Sequence, residues 1–141
     1  MIEFDDVGFS YGQDRVLSDI ALTISPGSFH FLTGPSGAGK TTFLKMCYLA
    51  LKPTDGRLSV FGSAAADIDR DGVSHLRRRI GVMHQNCAFL DHLSVAENVL
   101  LPLSVSGRRS EDTTQDCRDL LEWVGLTARA EALPPELSGG E

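Results

Sequence analysis

A glycine-rich segment, GPSGAGKTT, constrains this chain more than any other feature of its sequence. It begins at Gly34 and ends at Thr42, and its last glycine, Gly39, is followed directly by Lys40 and Thr41. The apolar stretch Ser28 to Thr33 before it predicts a short strand, and an amphipathic stretch after it predicts a helix. A strand that leads through a glycine loop into a helix N-terminus is an arrangement suited to holding phosphate.

Each residue type in this loop has a chemical reason. Small residues let consecutive backbone N–H groups curl around phosphate oxygens, and the helix presents its free N–H groups and positive dipole end to the same anion. Lys40 is expected to reach the β- and γ-phosphates, the Thr41 hydroxyl to coordinate magnesium, and Thr42 to donate a further hydrogen bond. An ordinary turn is the alternative, which the flanking strand and helix disfavour. The predicted nucleotide contacts of the loop are Gly34, Pro35, Ser36, Gly37, Ala38, Gly39, Lys40, Thr41 and Thr42.

The first part of the chain is predicted to be an α/β layer. Apolar residues alternate loosely from Ile2 to Tyr11, and after a turn Val16 to Ile24 continues the pattern, which predicts an antiparallel strand pair. Arg57 to Phe61 and Ile80 to Met83 read as further short strands, with helical crossovers that predict a partly parallel sheet. The helix after the glycine loop is predicted from apolar residues at i, i+3, i+4 and i+7, namely Leu44, Cys47, Tyr48 and Leu51.

The later part of the chain, residues 92–137, is predicted to be a helical subdomain inserted into the α/β core. One helix is expected from Ser94 through Leu101, and Ser110 is expected to cap a second one. The apolar face of the second helix is predicted to be Cys117, Leu120, Leu121 and Val124. Residues 1–91 are assigned to the nucleotide-binding core with its β subdomain, and 137–141 to a separate glycine loop.

Composition and charge disfavour several classes of protein. Thirteen basic against nineteen acidic residues give a net charge of −6, which argues against nucleic acid as a partner. The most apolar stretch, Val99 to Val105, is far shorter than the roughly 20 residues that span a bilayer. The N-terminus does not resemble a secretory signal, so a cytoplasmic chain is expected. Cys47, Cys87 and Cys117 are widely spaced and are predicted to be packing residues rather than disulfide or zinc ligands.

The glycine loop, Gln85 and the terminal LSGGE together resemble the ATP-binding subunits of ABC transporters, over the whole chain. The resemblance implies a P-loop NTPase core with an antiparallel β subdomain and an inserted α-helical subdomain, and ATP with Mg²⁺ as cofactors. In that family the LSGGE signature of one subunit contacts the γ-phosphate held by another. Ser138, Gly139 and Gly140 are therefore expected to contact ATP across a homodimer that sandwiches the nucleotide, although an isolated LSGGE could be a surface turn.

The same resemblance implies roles for three residues outside the loops. Tyr11 is expected to stack on adenine, with a core strand aromatic as the alternative, and Val16 either touches the same base or packs in the core. Gln85 is expected to reach magnesium and the attacking water, with a loop-surface glutamine as the alternative. Lys40 and Gln85 are thus the candidate catalytic residues, and Thr41 and Gln85 the candidate metal ligands.

Finer segments resemble the cell-division branch of the family, the FtsE type. They are Ile80 to Gln85, Leu93 to Val99, Leu101 to Leu103, and Glu141 at the end of the signature. This implies a peripheral protein on the cytoplasmic face of the bacterial inner membrane. The protein would contact the membrane indirectly, through an FtsX-like integral membrane subunit that docks near residues 85–97. A lipoprotein-release or export ATPase is the alternative. A chromosome-maintenance clamp is disfavoured because the interval between the loops predicts only short helices.

The family's strand ending in Asp-Glu and its switch histidine belong after the signature and are absent from these 141 residues. The chain is therefore expected to be incomplete at its C-terminus and, by itself, to bind nucleotide without turning it over. A non-hydrolysing scaffold stays open for the same reason. The arginines Arg77, Arg78 and Arg79 are predicted to be a solvated helix end, with lipid-headgroup contact a lesser alternative.

Overall fold

The computed structural model describes residues 1–84, 89–105 and 110–141. Contacts divide the chain into two compact units, 1–82 and 83–141. The predicted functional division at residues 91 and 92 stays a prediction. The elements in chain order are β1 (Ile2–Tyr11), β2 (Asp14–Ile24), α1 (Lys40–Cys47), β3 (Asp55–Val60), β4 (Ser63–Ala64), α2 (Arg70–Arg77), α3 (Val95–Val105), α4 (Glu111–Trp123) and two 3₁₀ turns, Thr127–Arg129 and Pro134–Glu136.

The first unit is built on a four-stranded antiparallel sheet with the order β2-β1-β3-β4. A two-residue turn joins β1 to β2, with Tyr11 paired to Asp14 and Gly12 at a φ of 60°. Glycine adopts this left-handed conformation without a steric penalty, which is why the chain reverses there. The predicted antiparallel pair is confirmed, and β3 begins two residues earlier than the predicted strand at Arg57.

The core of the first unit lies between this sheet and α1. Phe4 on β1 stacks on Phe43 on α1 with ring centroids 4.6 Å apart, and Met46 is fully buried. Burying side chains of this size contributes about 1.5 to 3 kcal/mol each. The packing fixes the start of α1, and hence the end of the glycine loop, relative to the sheet.

Helix α1 is shorter than predicted, and its buried face is shifted from the predicted one. It ends at Cys47, and Leu49 then takes a left-handed φ of 59°. Phe43 and Met46 are buried, whereas 52% of Leu44 is exposed. The predicted face is right in part, because Cys47 and Leu51 pack against the core, but the buried centre of the helix is Phe43 and Met46, since periodicity alone does not choose between two adjacent stripes.

Two predicted strands are also corrected. Ser28 to Thr33 and Ile80 to Met83 have no strand pairing, and every strand pair among the described residues is antiparallel. Phe29 and Phe31 are 80% and 82% exposed. An apolar run specifies side chains that suit a strand, but a strand also needs a neighbour for its backbone hydrogen bonds, and the local sequence does not supply one.

The second unit packs α3 against α4 around a small core. The buried residues are Val95, Leu100, Cys117 and Leu121. The predicted cap at Ser110 is confirmed, since its hydroxyl accepts from the Thr113 N–H at 3.3 Å and its N–H donates to the Thr113 hydroxyl at 2.8 Å. The predicted apolar face is half right, because Leu120 and Val124 are exposed.

The two cysteines within the described ranges pack as predicted. Cys117 is buried and Cys47 half-buried, and desolvation raises the pKa of Cys47 to about 11. Cys87 lies outside the described residues. Across those ranges, no helix combines the length and apolar character needed to cross a bilayer.

Candidate functional site

The glycine loop takes its shape from three residues in conformations that favour glycine. Gly34, Gly37 and Gly39 have φ angles of 148°, 83° and 84°. Residues other than glycine rarely adopt such φ angles. At Gly39 space is also limiting, since an added Cβ would lie 2.7 Å from a methyl carbon of Leu17 on β2. Conformation and packing together require glycine where the loop enters α1.

Helix α1 begins without a side-chain cap, unlike α2, α3 and α4. Its N-cap is Gly39, no side chain in the described structure bonds to its first N–H groups, and its first turn holds no acidic residue. By contrast, the Asp69 carboxylate accepts from the Gly72 N–H at the start of α2, at 2.8 Å, and Ser110 caps α4. The free N–H groups and the positive dipole end of α1 therefore suit an anion such as phosphate.

Lys40 folds back over this loop. Its Nζ donates to the carbonyl oxygens of Gly34 and Pro35 at 2.8 and 2.6 Å. These acceptors are neutral carbonyls, so an incoming phosphate, which is itself charged, offers the ammonium a stronger partner. The lysine is already held where the loop would receive an anion.

The two threonines of the loop differ in exposure. Thr41 is exposed in the first turn of α1, so its hydroxyl is accessible to a metal ion bound beside a phosphate. Thr42 is buried, with 7% of its surface exposed, which leaves its predicted phosphate contact to its backbone N–H rather than to a freely moving hydroxyl. The Thr41 hydroxyl oxygen suits magnesium as a ligand, and the neighbouring backbone N–H groups suit the phosphate that the magnesium would share.

The strand pair places Val16 and Tyr11 differently. Val16 is half-buried and packs against the core of the first unit, and an added Cβ at Gly39 would lie 3.1 Å from one of its methyl carbons. Tyr11 is 48% exposed at the end of β1 and meets Phe9 edge to face, with centroids 4.8 Å apart. The core alternative therefore does not describe Tyr11, and its predicted stacking on a base stays a prediction.

Open space adjoins the loop on the β2 side. A cavity of about 390 Å³ is lined by Lys40 and Ala38 from the loop region and by Leu17, Ile20 and Phe43 among its apolar walls. The apolar walls do not suit phosphate. The exposed N–H groups at the start of α1 suit phosphate better than these walls do.

The signature loop at the end of the second unit is held by a side chain. The Glu141 carboxylate accepts from the Ser138 N–H at 2.9 Å and lies 3.1 Å from the guanidinium of Arg129. The pKa of Glu141 is lowered most by the hydrogen bond from the Ser138 backbone N–H. The Ser138 side chain and Arg129 lower it further. Ser138, Gly139 and Gly140 are exposed. The Ser-x-x-Glu spacing from Ser138 to Glu141 is the signal of a capping box, whereas no local pattern predicts the contact of Arg129 with Glu141.

Two of the three arginines predicted to be a solvated helix end have structural partners. Arg77 donates to the carbonyl oxygens of Tyr48 and Leu49 at 3.1 and 2.7 Å. Arg79 lies 4.2 Å from the centre of the Phe61 ring. The positive guanidinium lies at the carbonyl end of α1, where it interacts favourably with the negative end of the helix dipole. Arg77 therefore stabilises the helix that follows the glycine loop.

Asn98 is a second residue that sequence analysis missed. Its side-chain oxygen accepts from the Leu90 N–H at 2.9 Å, and its amide nitrogen donates to the carbonyl oxygens of Leu90 and Leu93 at 3.1 and 3.0 Å. It thereby fastens the segment before α3 to the first turns of that helix. Gln85, the remaining candidate, lies outside the described residues.

Known proteins resemble this chain in sequence and in fold. The sequence profile of the ABC transporter family matches residues 17–141. The cell division ATP-binding protein FtsE of Bacillus subtilis is 39% identical over all of this chain and 62% of its own length. The methionine import ATP-binding protein MetN 2 of Paraburkholderia xenovorans is 36% identical over 98% of this chain and 37% of its own length.

A dimeric, post-hydrolysis structure of the ATP-binding cassette MJ0796 bound to ADP and Pi is similar to this fold with a TM-score of 0.87. It is 31% identical, and the alignment covers 99% of this chain and 64% of that one. The chain thus spans 62% of the length of the FtsE relative and a smaller share of the MetN relative. The family profile, the relatives and the α/β fold with its glycine loop agree: the chain belongs to the ABC transporter family of ATP-binding cassettes.

Proposed function

We propose that this chain binds the phosphates of ATP with its glycine loop, as part of an ATP-hydrolysing subunit. One observation carries the proposal: the N-terminus of α1 is uncapped and preceded by three glycines with positive φ, while Lys40 lies folded over the same loop. The helices α2, α3 and α4, which are capped by Asp69, Ser94 and Ser110, lack that combination. The relatives named for ATP binding support the same function.

In this proposal each residue has a distinct task. Backbone N–H groups of the loop and the Lys40 ammonium bind the β- and γ-phosphates, and Thr41 holds the magnesium that shares them. Gln85 orients the attacking water, and Tyr11 stacks on adenine. The magnesium ion, when bound, neutralises charge that develops on the transferred phosphoryl group. Turnover belongs to the complete protein.

The proposed nucleotide site is completed by a second copy of the chain. Ser138, Gly139 and Gly140 are exposed and lack bulky side chains, so a phosphate held by another protomer could approach their backbone closely. The dimeric state named for the structural relative supports this arrangement. Residues 1–91 would then supply the nucleotide loop, 92–137 the helical subdomain and 137–141 the contact to the partner's ATP.

Titration with a fluorescent ATP analogue tests the binding step. Lys40→Ala removes one charge-assisted contact to phosphate, which weakens binding by about 10- to 100-fold at roughly 1.5 to 3 kcal/mol. Lys45→Ala, the same change on the same helix at its last turn, is the matched control and leaves affinity within about twofold. Equal affinity in the Lys40 and Lys45 variants would refute phosphate binding at this loop.

We further propose that the protein acts at the cytoplasmic face of the bacterial inner membrane with an FtsX-like subunit in cell division. The FtsE relative supports this, and the MetN relative supports a second candidate, a methionine importer. Co-purification from membranes that contain either an FtsX-type or a methionine-import membrane subunit separates the two. Retention of only the import subunit would overturn the division role.

A further inference from the structure

The signature loop contains an internal carboxylate contact that phosphate binding must accommodate. The Glu141 carboxylate accepts the Ser138 N–H at 2.9 Å, and the Glu141 N–H donates to the Ser138 carbonyl oxygen at 3.1 Å. The first bond is half of a capping box, in which a glutamate three residues on satisfies the N–H of the capping serine. The orientation of Ser138 is therefore set by Glu141.

Arg129 holds the other oxygen of the same carboxylate. Its guanidinium lies 3.1 Å from Glu141 Oε1, while Glu141 Oε2 takes the Ser138 N–H. Arg129 itself sits in a 3₁₀ turn whose neighbours are fastened to α3, since the Ala130 carbonyl accepts from the Ala96 N–H at 2.9 Å. A fixed turn thus anchors Glu141, and Glu141 anchors Ser138.

Charge gives this chain of contacts a functional consequence. Glu141 places a negative charge beside the backbone that is proposed to receive phosphate, and like charges a few ångströms apart repel each other. The Arg129 guanidinium offsets that charge. Without Arg129, the carboxylate that orients Ser138 would also repel the phosphate.

We propose that Glu141 is a positioning residue that orients Ser138 toward the γ-phosphate of a partner protomer's nucleotide, and that Arg129 is the counter-charge that makes a carboxylate tolerable there. The inference rests on the proposed function, because it specifies how the signature loop receives phosphate. A glutamine at position 141 keeps the acceptor for the Ser138 N–H and removes the charge.

Nucleotide-dependent association of the full-length protein, followed by sedimentation, tests the proposal with four variants. Arg129→Ala leaves the charge of Glu141 unbalanced and weakens association about fivefold, the upper range for an exposed ion pair. Glu141→Ala removes the acceptor and weakens it by a similar factor. Glu141→Gln associates at least as tightly as the unmodified protein, and the double variant Arg129→Ala with Glu141→Gln returns to within about twofold of it.

Glu136→Gln is the matched control, because the Glu136 carboxylate accepts from the Leu133 N–H at 3.1 Å in the same geometry, outside the signature loop. It leaves association unchanged. The proposal is overturned if Arg129→Ala alone has no effect, if the double variant stays as weak as Arg129→Ala, or if Glu141→Gln is as weak as Glu141→Ala. Failure of the unmodified protein to bind the fluorescent nucleotide would instead count against the proposed function, and thermal unfolding of each variant identifies any that do not fold.

Discussion

The two glycine loops of this chain are held in shape by different means. The loop at residues 34–39 depends on backbone conformation and packing, since its glycines have positive φ and Gly39 lies against β2. The signature loop depends on the Glu141 side chain, which bonds the Ser138 N–H and Arg129, and on a backbone bond from Glu141 to Ser138. Among the described residues, an added Cβ at Gly139 or Gly140 would meet nothing within 4 Å.

This difference separates two reasons for glycine in the two loops. In the first loop glycine is needed for the fold of the protomer itself. In the second loop the protomer folds without that need, so the glycines are required only if something outside it approaches their backbone. Substitutions should therefore separate stability from association.

The largest effect is expected at Gly39. Gly39→Ala combines a strained φ, which costs about 1 to 2 kcal/mol, with a contact too close to Leu17, for a total loss of about 2 to 3 kcal/mol in the free energy of unfolding. Gly37→Ala is the matched control, because its φ is nearly the same but its surroundings are open. Urea denaturation of both variants should place Gly37→Ala at about 1 kcal/mol; equal losses would show that packing against β2 does not shape the loop.

A second substitution tests the opposite behaviour in the signature loop. Gly139→Ala should change the free energy of unfolding by less than about 0.5 kcal/mol, as exposed substitutions do. Nucleotide-dependent association should nevertheless fall about tenfold, since the methyl group blocks close approach of the partner's phosphate. A variant that associates normally would mean that no phosphate approaches this backbone.

A third test compares the signature contact with the full capping box of α4. Ser110→Ala should lower the free energy of unfolding by about 1 kcal/mol, because it removes the acceptor for the Thr113 N–H. Glu141→Gln keeps its acceptor and should lower it by less. Thermal unfolding measures both, and a larger loss for Glu141→Gln would show that the signature contact stabilises the fold rather than orienting Ser138.

The smallest effect is expected at an ion pair on the sheet. Two hydrogen bonds from Arg15, at 3.1 and 2.8 Å, lower the pKa of Asp55 from its ordinary value of 3.8. The stabilisation is therefore complete above that ordinary value and is lost as pH falls through the lower pKa of the folded state. The difference in unfolding free energy between the unmodified protein and Asp55→Asn should shrink on acidification, with nucleotide affinity unchanged; a difference that grew would contradict the assignment.

Local patterns predicted the features that depend on neighbouring residues. The β1–β2 pair has its turn and alternation within one short segment, and the Ser110 cap needs only residues up to Thr113. The shape of the loop at residues 34–39 and the start of α1 were predictable for the same reason, because the residues that determine them are contiguous in sequence.

Features that depend on distant partners were not predictable. The strand assigned to Ser28 to Thr33 was wrong because pairing depends on residues elsewhere in the chain. The roles of Arg77 and Arg129 were missed, since each acts on carbonyl or carboxylate groups that folding brings near from 12 or more positions away.

The central claim is that the two loops act on one ATP from two different protomers, and mixing two inactive variants tests it most directly. Lys40→Ala disables the glycine loop but keeps the signature, whereas Ser138→Arg keeps the glycine loop and blocks the signature with a bulky side chain. Neither variant alone should show nucleotide-dependent association. Their mixture should, because one of its two composite sites is intact, with about one nucleotide retained per dimer. A mixture that fails to associate, or a single variant that associates as well as the unmodified protein, would contradict the account.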